Sequence, residues 1–435
     1  MRTYLLLFGA VMLLATATAG RDLNLSQALS LAREHSYSLK NADAVHKAAL
    51  SSLSAARAER FPTLSASAMA NYVDYVARFD ISLPPPSPSI SREVGTHETY
   101  QTDLRLNLPL FTGGRISGNI SLAVATAELD EALVSAGEDQ LAYMTRLEYF
   151  TLNRADAVVE VAKASFTRAE TIAKDVNSLY QAGAADSVAL LEADLAVTRA
   201  TFALQQAEIA RRSSELRLLT YLGLDATEQL SLTDSLPTPQ DSVGDATVSS
   251  NKPELIVADA TVRAGQSRLR LSRTDYFPTI TAFGGYSYGK PNLDRFNNTW
   301  NDYFTVGATL SWSFNLGRKT AANSRAANFG LEAARMNREQ VAENLDKEAS
   351  LAREQVKLAY RRYQSAREEF RIASDNYRLA SAQHRDGTLS SNRLVTIESD
   401  LTAAESSLST AKIDYQIALS AFYYTTGSEN LRKGN

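Results

Sequence analysis

Cysteine is missing from all 435 residues of the chain. Its absence excludes disulfides, cysteine-based metal sites, a cysteine nucleophile and a lipid-modified N-terminal cysteine. Histidine is scarce: the chain has four, none in metal-binding spacing, at His35, His46, His97 and His384. No His-Glu-x-x-His motif occurs, and Gly113-Gly114-Arg115 lacks the Lys and Ser/Thr of a phosphate loop. Carboxylates of the helical regions are scattered among Arg and Lys, which is typical of solvated faces. We therefore expect no metal, no cofactor and no enzymatic activity.

Strong net charge and long apolar runs are also lacking. The formal charge is -4 without basic runs, which removes the electrostatic argument for nucleic-acid binding. After the N-terminus no stretch offers the ~18 apolar residues of a membrane-spanning helix. The N-terminus combines Arg2, an apolar segment at 4–14 and the small-x-small site Ala17-Thr18-Ala19. This predicts a signal peptide over residues 1–19. An exported chain of this kind is soluble in the periplasm, secreted or an outer-membrane β-structure.

Proline is absent from two long blocks, residues 110–236 and 292–435. These blocks predict two long helical hairpins, over about 114–222 and 317–427, that reverse direction at Gly183 and Gly387. A continuous helix over 114–183 would measure roughly 100 Å at ~1.5 Å per residue, which is too long for a globular domain.

Apolar residues recur every seven residues along the second helix of each hairpin, which indicates a coiled-coil seam. In the first hairpin the seam is Leu195, Phe202, Ile209 and Leu216. In the second it is Leu401, Leu408, Tyr415 and Phe422. Alanines three residues after the first three members of the second seam allow unusually close helix packing.

Four segments alternate apolar and polar residues with a period of two, which predicts strands at about 61–76, 100–111, 277–289 and 303–314. In the second of them, leucines at 104, 106, 108 and 110 alternate with Asp103, Arg105 and Asn107. Residues 78–98 contain four prolines and are predicted as an irregular loop. The polar residues 231–250 are predicted as a linker.

The same order of elements occurs twice. Phe61-Pro62-Thr63 returns as Phe277-Pro278-Thr279, and residues 111–115 return in altered form at 314–318. We predict a first repeat over 20–230, a linker at 231–250, a second repeat over 251–428 and a tail at 429–435. Each repeat consists of helix, strand, strand, long helix, turn and long helix.

Alternating strands in an exported chain, with aromatic residues near the strand ends, favour a membrane β-barrel. A soluble sheet packed against helices on one face gives the same pattern and remains the alternative. Four strands cannot close a barrel, so a membrane form has to oligomerise. Two chains would give eight strands and three would give twelve. The small polar residues of the second face favour a water-filled lumen and hence a trimer, with Asp103 and Arg105 facing the lumen.

Several short motifs occur in a characteristic order. They are Leu108-Pro109-Leu110-Phe111, Leu179-Tyr180-x-x-Gly183, Leu190-Leu191-Glu192-Ala193 and Asn251-Lys252-Pro253-Glu254-Leu255, together with the two Phe-Pro-Thr strand starts. With the duplicated element order, they make nearly the whole mature chain resemble the TolC-like outer-membrane efflux proteins. The resemblance implies a mixed α and β membrane protein: a homotrimer whose 12-stranded outer-membrane β-barrel continues into a 12-helix periplasmic α-barrel. It also implies a Gram-negative outer-membrane location.

The resemblance further implies partners at the two hairpin turns. A periplasmic adaptor (membrane fusion) protein would dock in grooves beside the turns and connect the channel to an inner-membrane transporter. By position, the matching residues are Tyr180, Gly183, Ser187, Leu190, Leu191, His384, Gly387, Ser391, Leu394 and Val395. The other interpretation is that these residues only pack the turns.

The best-known pattern of the family places aspartates six and nine residues after the second turn glycine, where they constrict the pore. Here those positions are Arg393 and Thr396, and in the first copy they are Ala189 and Glu192. We hypothesise instead a mixed-charge closure formed by Glu192, Arg393 and Glu398. Solvated surface charges of little energetic weight are the alternative.

The sequence therefore predicts a trimeric outer-membrane channel-tunnel that serves as the passive exit duct of a tripartite efflux pump. An exit duct for type I protein secretion is an alternative of the same class. A periplasmic or secreted coiled-coil structural protein is an alternative of a different class.

Overall fold

A computed structural model describes residues 21–81, 84, 86, 88, 90–93, 95–241, 244–294 and 297–433. The predicted signal peptide, residues 1–19, lies outside the described residues. Within the described residues, no helix combines the length and the apolar character that crossing a membrane requires.

Helices dominate the chain, and two pairs of them have equal lengths. The helices are α1 (Leu25–His35), α2 (Tyr37–Ala58), α3 (Arg115–Gln181), α4 (Ser187–Leu222), α5 (Pro253–Leu271), α6 (Lys319–Arg385) and α7 (Ser391–Thr426). Both α3 and α6 contain 67 residues, and both α4 and α7 contain 36. Glycine ends the second helix of each hairpin in the left-handed conformation, with φ of 67° at Gly223 and 69° at Gly427.

The strands form three separate sheets. They are β1 (Arg21–Leu23), β2 (Thr63–Tyr72), β3 (Arg78–Ile81), β4 (Ile90–Glu93), β5 (Glu98–Phe111), β6 (Leu230–Leu232), β7 (Thr279–Lys290) and β8 (Asn301–Ser311). The main sheet has the order β2-β5-β7-β8, and all of its neighbours are antiparallel. Its two edges, β2 and β8, have no strand partner within the described part of the chain.

Two segments that the sequence predicts as irregular contain short strands. Inside the predicted loop 78–98, β3 and β4 pair as an antiparallel ribbon, because every proline of the loop falls between the two strands. At the start of the predicted linker 231–250, β6 pairs in parallel with β1 near the N-terminus. Short strands whose partner lies more than 200 residues away leave no local pattern to detect. The first strand of the main sheet also ends at Tyr72, four residues earlier than predicted.

The chain folds as two compact units. The first unit comprises the described residues within Met1–Asn41, Val134–Pro253 and Ala342–Asn435. Its main core joins α1, α3, α4 and the β1–β6 ribbon around the fully buried Tyr149 and Leu218. The Asp234 carboxylate accepts hydrogen bonds from the Tyr149 hydroxyl and the Leu25 N–H, both at 2.7 Å. Burial and this bond raise the pKa of Tyr149 above its ordinary value.

The end of the chain is packed into the first unit. The predicted tail 429–435 begins with a 3₁₀ turn at Glu429–Arg432, in which Leu431 is fully buried. The Arg432 guanidinium pairs with Asp139 and Glu138 of α3. The Arg146 guanidinium donates to the carbonyl oxygen of Lys433 at 2.7 Å. These contacts fix the described end of the tail to α3.

The second unit comprises Ala42–Leu133 and Glu254–Val341. It contains the main sheet and the helix segments that enter and leave it. A Cβ at Gly118 would lie 2.6 Å from Leu271, and one at Gly265 would lie 3.3 Å from Leu331. Glycine therefore lets α3 approach α5, and α5 approach α6, more closely than any other residue would allow.

Candidate functional site: the hairpin turns, the helix faces and the sheet

The first hairpin turn is closed by Gly183, whose φ is +74°. Its N–H donates to the Tyr180 carbonyl at 3.0 Å, and the Ala184 N–H donates to the Leu179 carbonyl at 2.8 Å. These bonds satisfy the last carbonyls of α3. No atom lies within 4 Å of a Cβ built at Gly183. The backbone conformation, rather than packing, therefore requires glycine here, and the turn surface is open.

The second turn has the same backbone geometry and one additional contact. Gly387 has φ of +73°, and its N–H donates to the His384 carbonyl at 3.0 Å. The His384 imidazole is buried, and its Nδ1 donates to the Leu389 carbonyl at 2.9 Å. A side chain thus fixes the second turn, whereas the first turn relies on its backbone and on Asp186, which caps α4.

A small hydrophobic cluster, here called the tip core, joins the two hairpins behind the turns. Its buried members are Ile172, Val176, Ala193, Ala380, Leu394 and Ile397. Leu394 is only 3% exposed, so this predicted docking residue packs between helices within one chain. His384 and Ser391 are also buried. Packing of the turn accounts for these three residues without any partner.

Exposed apolar surface occurs on the first hairpin. Leu191 is 68% exposed and Val188 is 62% exposed, three residues apart near the start of α4. The predicted residues Tyr180, Gly183, Ser187 and Gly387 are exposed as well, and Leu190 and Val395 are half-buried. Sequence reasoning missed Val188, although its i, i+3 spacing from Leu191 places both on one helix face. The two turns therefore offer different surfaces to a partner.

The charged residues of the proposed constriction have separate partners. Glu398 of α7 is buried against α3, where its Oε1 lies 3.1 Å from Arg168 Nε and accepts from the Ser165 hydroxyl at 3.0 Å. Glu192 Oε1 accepts from the Asn392 amide at 3.3 Å. Arg393 is exposed and forms no ion pair with any described residue. Within one chain, the three charges do not form a closure, and a closure between chains remains a prediction.

Arg168 is a residue that the sequence analysis missed. Besides Glu398, its guanidinium contacts Glu405 at 2.8 Å and the Thr402 hydroxyl at 2.9 Å, both on α7. It thereby ties the first hairpin to the second. The i, i+7 spacing of Glu398 and Glu405 places both carboxylates on one face of α7 and is the only local signal of this network.

The main sheet has one apolar face and one polar face, as the alternation predicts. Across the four strands, Leu64 pairs with Leu106, Leu106 with Gly284 and Gly284 with Val306. On the other face, Ser65 pairs with Arg105 and Gly285 with Thr305. The Arg105 guanidinium lies 5.0 Å from the centre of the Phe283 ring. Asp103 is on the polar face too and accepts from the Gln101 amide at 3.0 Å.

The two coiled-coil seams have different environments. The α7 seam is buried within the chain at Leu401, Tyr415 and Phe422. The α4 seam is exposed along its whole length, reaching 69% at Ile209. A second exposed row lies on α6, at Leu351, Leu358, Ile372 and Leu379. Apolar rows of this length on a helix surface mark an interaction site.

A family model identifies the family of this chain, and solved structures share its fold. The outer membrane efflux protein family model matches residues 28–224 and 247–428. No curated protein sequence gives a significant match. Among solved structures, CusC has a TM-score of 0.80 at 17% identity, covering 94% of this chain and 93% of its own.

Two further solved outer-membrane proteins have the same fold. VceC from Vibrio cholerae has a TM-score of 0.77 at 15% identity, covering 93% of this chain and 96% of its own. The open state of MtrE from Neisseria gonorrhoeae has a TM-score of 0.75 at 16% identity, covering 95% of this chain and 91% of its own.

Proposed function

The chain belongs to the outer membrane efflux protein family, and on that premise we propose that it forms, as a homotrimer, the exit duct of a tripartite efflux system. Family membership confirms the resemblance drawn from the sequence and places the chain in the outer membrane of a Gram-negative bacterium. The long hairpins would extend into the periplasm, and their turns would meet an adaptor protein.

The main sheet supports assembly with further copies. Neither of its edges has a strand partner among the described residues, and one of its faces is apolar, with Val306 77% exposed. Lipid cannot satisfy the N–H and C=O groups of an open edge, so a membrane sheet has to close on itself. Joining β8 of one copy to β2 of the next closes three copies into twelve strands. Twelve strands leave room for a lumen lined by the polar face.

The exposed apolar rows on α4 and α6 are the strongest support for the proposed homotrimer. On α4 the row begins at Leu195, 12 residues after Gly183, and on α6 it ends at Leu379, 8 residues before Gly387. The other members lie 19, 26 and 33 residues after Gly183 on α4 and 15, 29 and 36 residues before Gly387 on α6, so the two rows cover overlapping lengths of the hairpins. The α4 row of one copy can therefore pack against the α6 row of the next. Such a head-to-tail contact between two different surfaces generates a ring when the rotation from one copy to the next closes, as the closed twelve-stranded sheet requires.

Disrupting the α4 row tests the assembly. Phe202→Asp combined with Ile209→Asp places two carboxylates in the proposed contact and should yield monomers by native mass spectrometry in detergent. The matched control is Ala203→Asp combined with Ala210→Asp, which adds the same charges at the same spacing about 100° around the helix. A trimer that survives the first pair of changes as well as the control pair would overturn the proposed contact.

Adaptor docking is tested at the open surface of the first turn. Leu191→Asp with Val188→Asp should reduce co-purification of the adaptor and lower export while leaving the trimer intact. A bulky residue at both Gly183 and Gly387 should likewise reduce export, and normal export with both changes would exclude docking at the turns. Extraction of the wild-type protein from membranes by carbonate would exclude the membrane sheet altogether.

A further inference from the structure

The chain passes four times between the main sheet and the helices, and each passage has the same order of side chains. Exposed aromatic residues lie on the sheet side; this aromatic belt comprises Phe61, Phe111, Tyr276, Phe277, Trp312 and Phe314. Exposed cations follow on the helix side; this basic collar comprises Arg60, Arg115, Arg270, Arg273, Arg318 and Lys319. All four passages lie at one end of the sheet, because Asn107 pairs with Thr63 and Thr279 with Ser311.

The cations of the basic collar lack carboxylate partners. None of the six forms an ion pair within the described chain. The four passages, residues 59–63, 109–119, 270–279 and 311–320, contain only two carboxylates, Glu59 and Asp275. Farther along the helices of the same unit, arginines do pair: Arg263 with Glu128 at 2.8 Å and Arg338 with Asp259 at 3.0 Å. The collar therefore concentrates uncompensated positive charge at one level.

The opposite end of the sheet has the reverse balance. Residues 73–98 and 290–302 contain six carboxylates and four cations. One of those cations, Arg78, is paired with Glu93 at 3.0 Å. Of the two ends, only the helix-side end thus carries a net positive charge that complements an anionic surface.

We propose that the basic collar binds the phosphate groups of anionic phospholipids in the membrane leaflet that faces the helices. The proposal rests on the proposed function, since it takes the main sheet to be embedded in a bilayer. Aromatic residues favour the boundary between hydrocarbon and headgroups, so the aromatic belt fixes the depth of the sheet. The collar then lies at the level of the phosphates, which long Arg and Lys side chains can reach.

Trp312 provides a reporter within this surface. Its indole N–H donates to the Tyr276 carbonyl at 3.3 Å, and its ring is half exposed. The chain has only one other tryptophan, Trp300, which stacks on Tyr288 at the opposite end of the sheet. Trp300→Phe keeps an aromatic ring there and leaves Trp312 as the single tryptophan, whose fluorescence can be excited selectively.

The experiment uses the full-length Trp300→Phe protein in vesicles of phosphatidylcholine that contain either brominated phosphatidylglycerol or brominated phosphatidylcholine. Quenching of Trp312 should show a preference of about fivefold for phosphatidylglycerol at low salt, decreasing as salt screens the charges. Arg60→Gln, Arg115→Gln, Arg273→Gln and Lys319→Gln together neutralise one cation in each passage and should reduce the preference to about one.

A matched variant neutralises the same number of cations on exposed parts of α4 and α6, by Arg→Gln changes at Arg199, Arg335, Arg361 and Arg362. It should retain the lipid preference. Equal quenching by both lipids in the starting protein would overturn the collar proposal while leaving the channel intact. If neither lipid quenches Trp312, the sheet is outside the bilayer and the proposed function itself fails. If the collar variant shifts ionic selectivity but keeps the lipid preference, the cations face the lumen and the collar proposal is wrong.

Discussion

Arg168 of α3 and Glu398 of α7 form an ion pair, with Nε and Oε1 3.1 Å apart, at a largely buried position between the two hairpins. The same guanidinium also forms an ion pair with Glu405, with Nη2 and Oε2 2.8 Å apart. Arg168→Met would leave both carboxylates without a cation and should lower the free energy of unfolding by about 2–4 kcal/mol. Thermal unfolding in detergent measures this loss.

The matched control is Arg371→Met, which breaks an exposed pair with Glu368 on α6. It should change stability by less than about 0.5 kcal/mol. Arg168→Lys is expected to restore only part of the loss, because one ammonium group cannot bridge both carboxylates as the guanidinium does. Equal stability of Arg168→Met and Arg371→Met would show that the buried pair contributes nothing.

Gly183 should be more sensitive to alanine than its empty surroundings suggest. Its φ of +74° disfavours any residue with a Cβ, so Gly183→Ala should destabilise the turn by about 1–2 kcal/mol. Gly330, inside α6, also has nothing within 4 Å of a built Cβ but lacks the positive φ. Gly330→Ala should therefore stabilise the protein by about 0.5–1 kcal/mol. Thermal unfolding of both variants measures these changes. A change in unfolding temperature of the same sign in both variants would contradict the argument from backbone conformation.

Glu215 should make the stability of the first unit depend on acid pH. Burial alone raises the pKa of Glu215, but the Leu230 N–H at 2.7 Å and the guanidinium groups of Arg212 and Arg211 outweigh burial and hold the pKa below its ordinary value. As the pH falls below the ordinary pKa of glutamate, the unfolded chain therefore binds more protons than the folded chain. The free energy of unfolding decreases as the pH falls from the pKa of the unfolded chain to the pKa of the folded chain. Glu215→Gln should remove this part of the pH dependence.

Unfolding measured from pH 6 to pH 3 tests the assignment to Glu215. The control is Glu208→Gln on the same helix, at an exposed position without an ion pair in the described chain. Glu208→Gln should keep the acid dependence of the wild type. An unchanged acid dependence in Glu215→Gln would exclude Glu215 as its source.

Lys252 should stabilise the end of α7. Its ammonium group is buried, donates to the Tyr424 carbonyl at 2.7 Å and lies 4.1 Å from the centre of the Tyr424 ring. Lys252→Met roughly keeps the length of the side chain but removes the donor at the C-terminus of α7. It should lower the free energy of unfolding by about 1–3 kcal/mol. Lys347→Met, which removes an exposed cation of α6, should be nearly neutral in the same unfolding measurement.

Local patterns made much of this architecture predictable from the sequence. Where the proline map and glycines predict a hairpin over about 114–222, the structure has α3 and α4 joined at Gly183. The alternation around Leu104 and Leu106 correctly assigns the two faces of the sheet, because the period of two is a property of the strand itself. Departures of several residues occur where a strand ends without a strong local signal, as at Tyr72.

The candidate site was less predictable, because its residues depend on partners that lie far away in the sequence. The ten docking positions follow from matching the two turns, yet Leu394 is buried in the tip core and Val188, which was not predicted, is exposed. Both residues occupy the first turns of similar helices. Which of them is covered depends on how one hairpin packs on the other.

The sequence by itself determined the elements of this protein: two long helical hairpins, a turn glycine in each, and four strands with one apolar face. These features follow from dihedral preferences and from periodicities within single segments. Only the tertiary structure decided that the α7 seam is covered while the α4 seam is open, that Glu398 pairs with Arg168 rather than with Arg393, and that β1 pairs with β6. Each of these outcomes depends on contacts between segments distant in the chain, and an isolated segment carries no record of the partner against which it will pack.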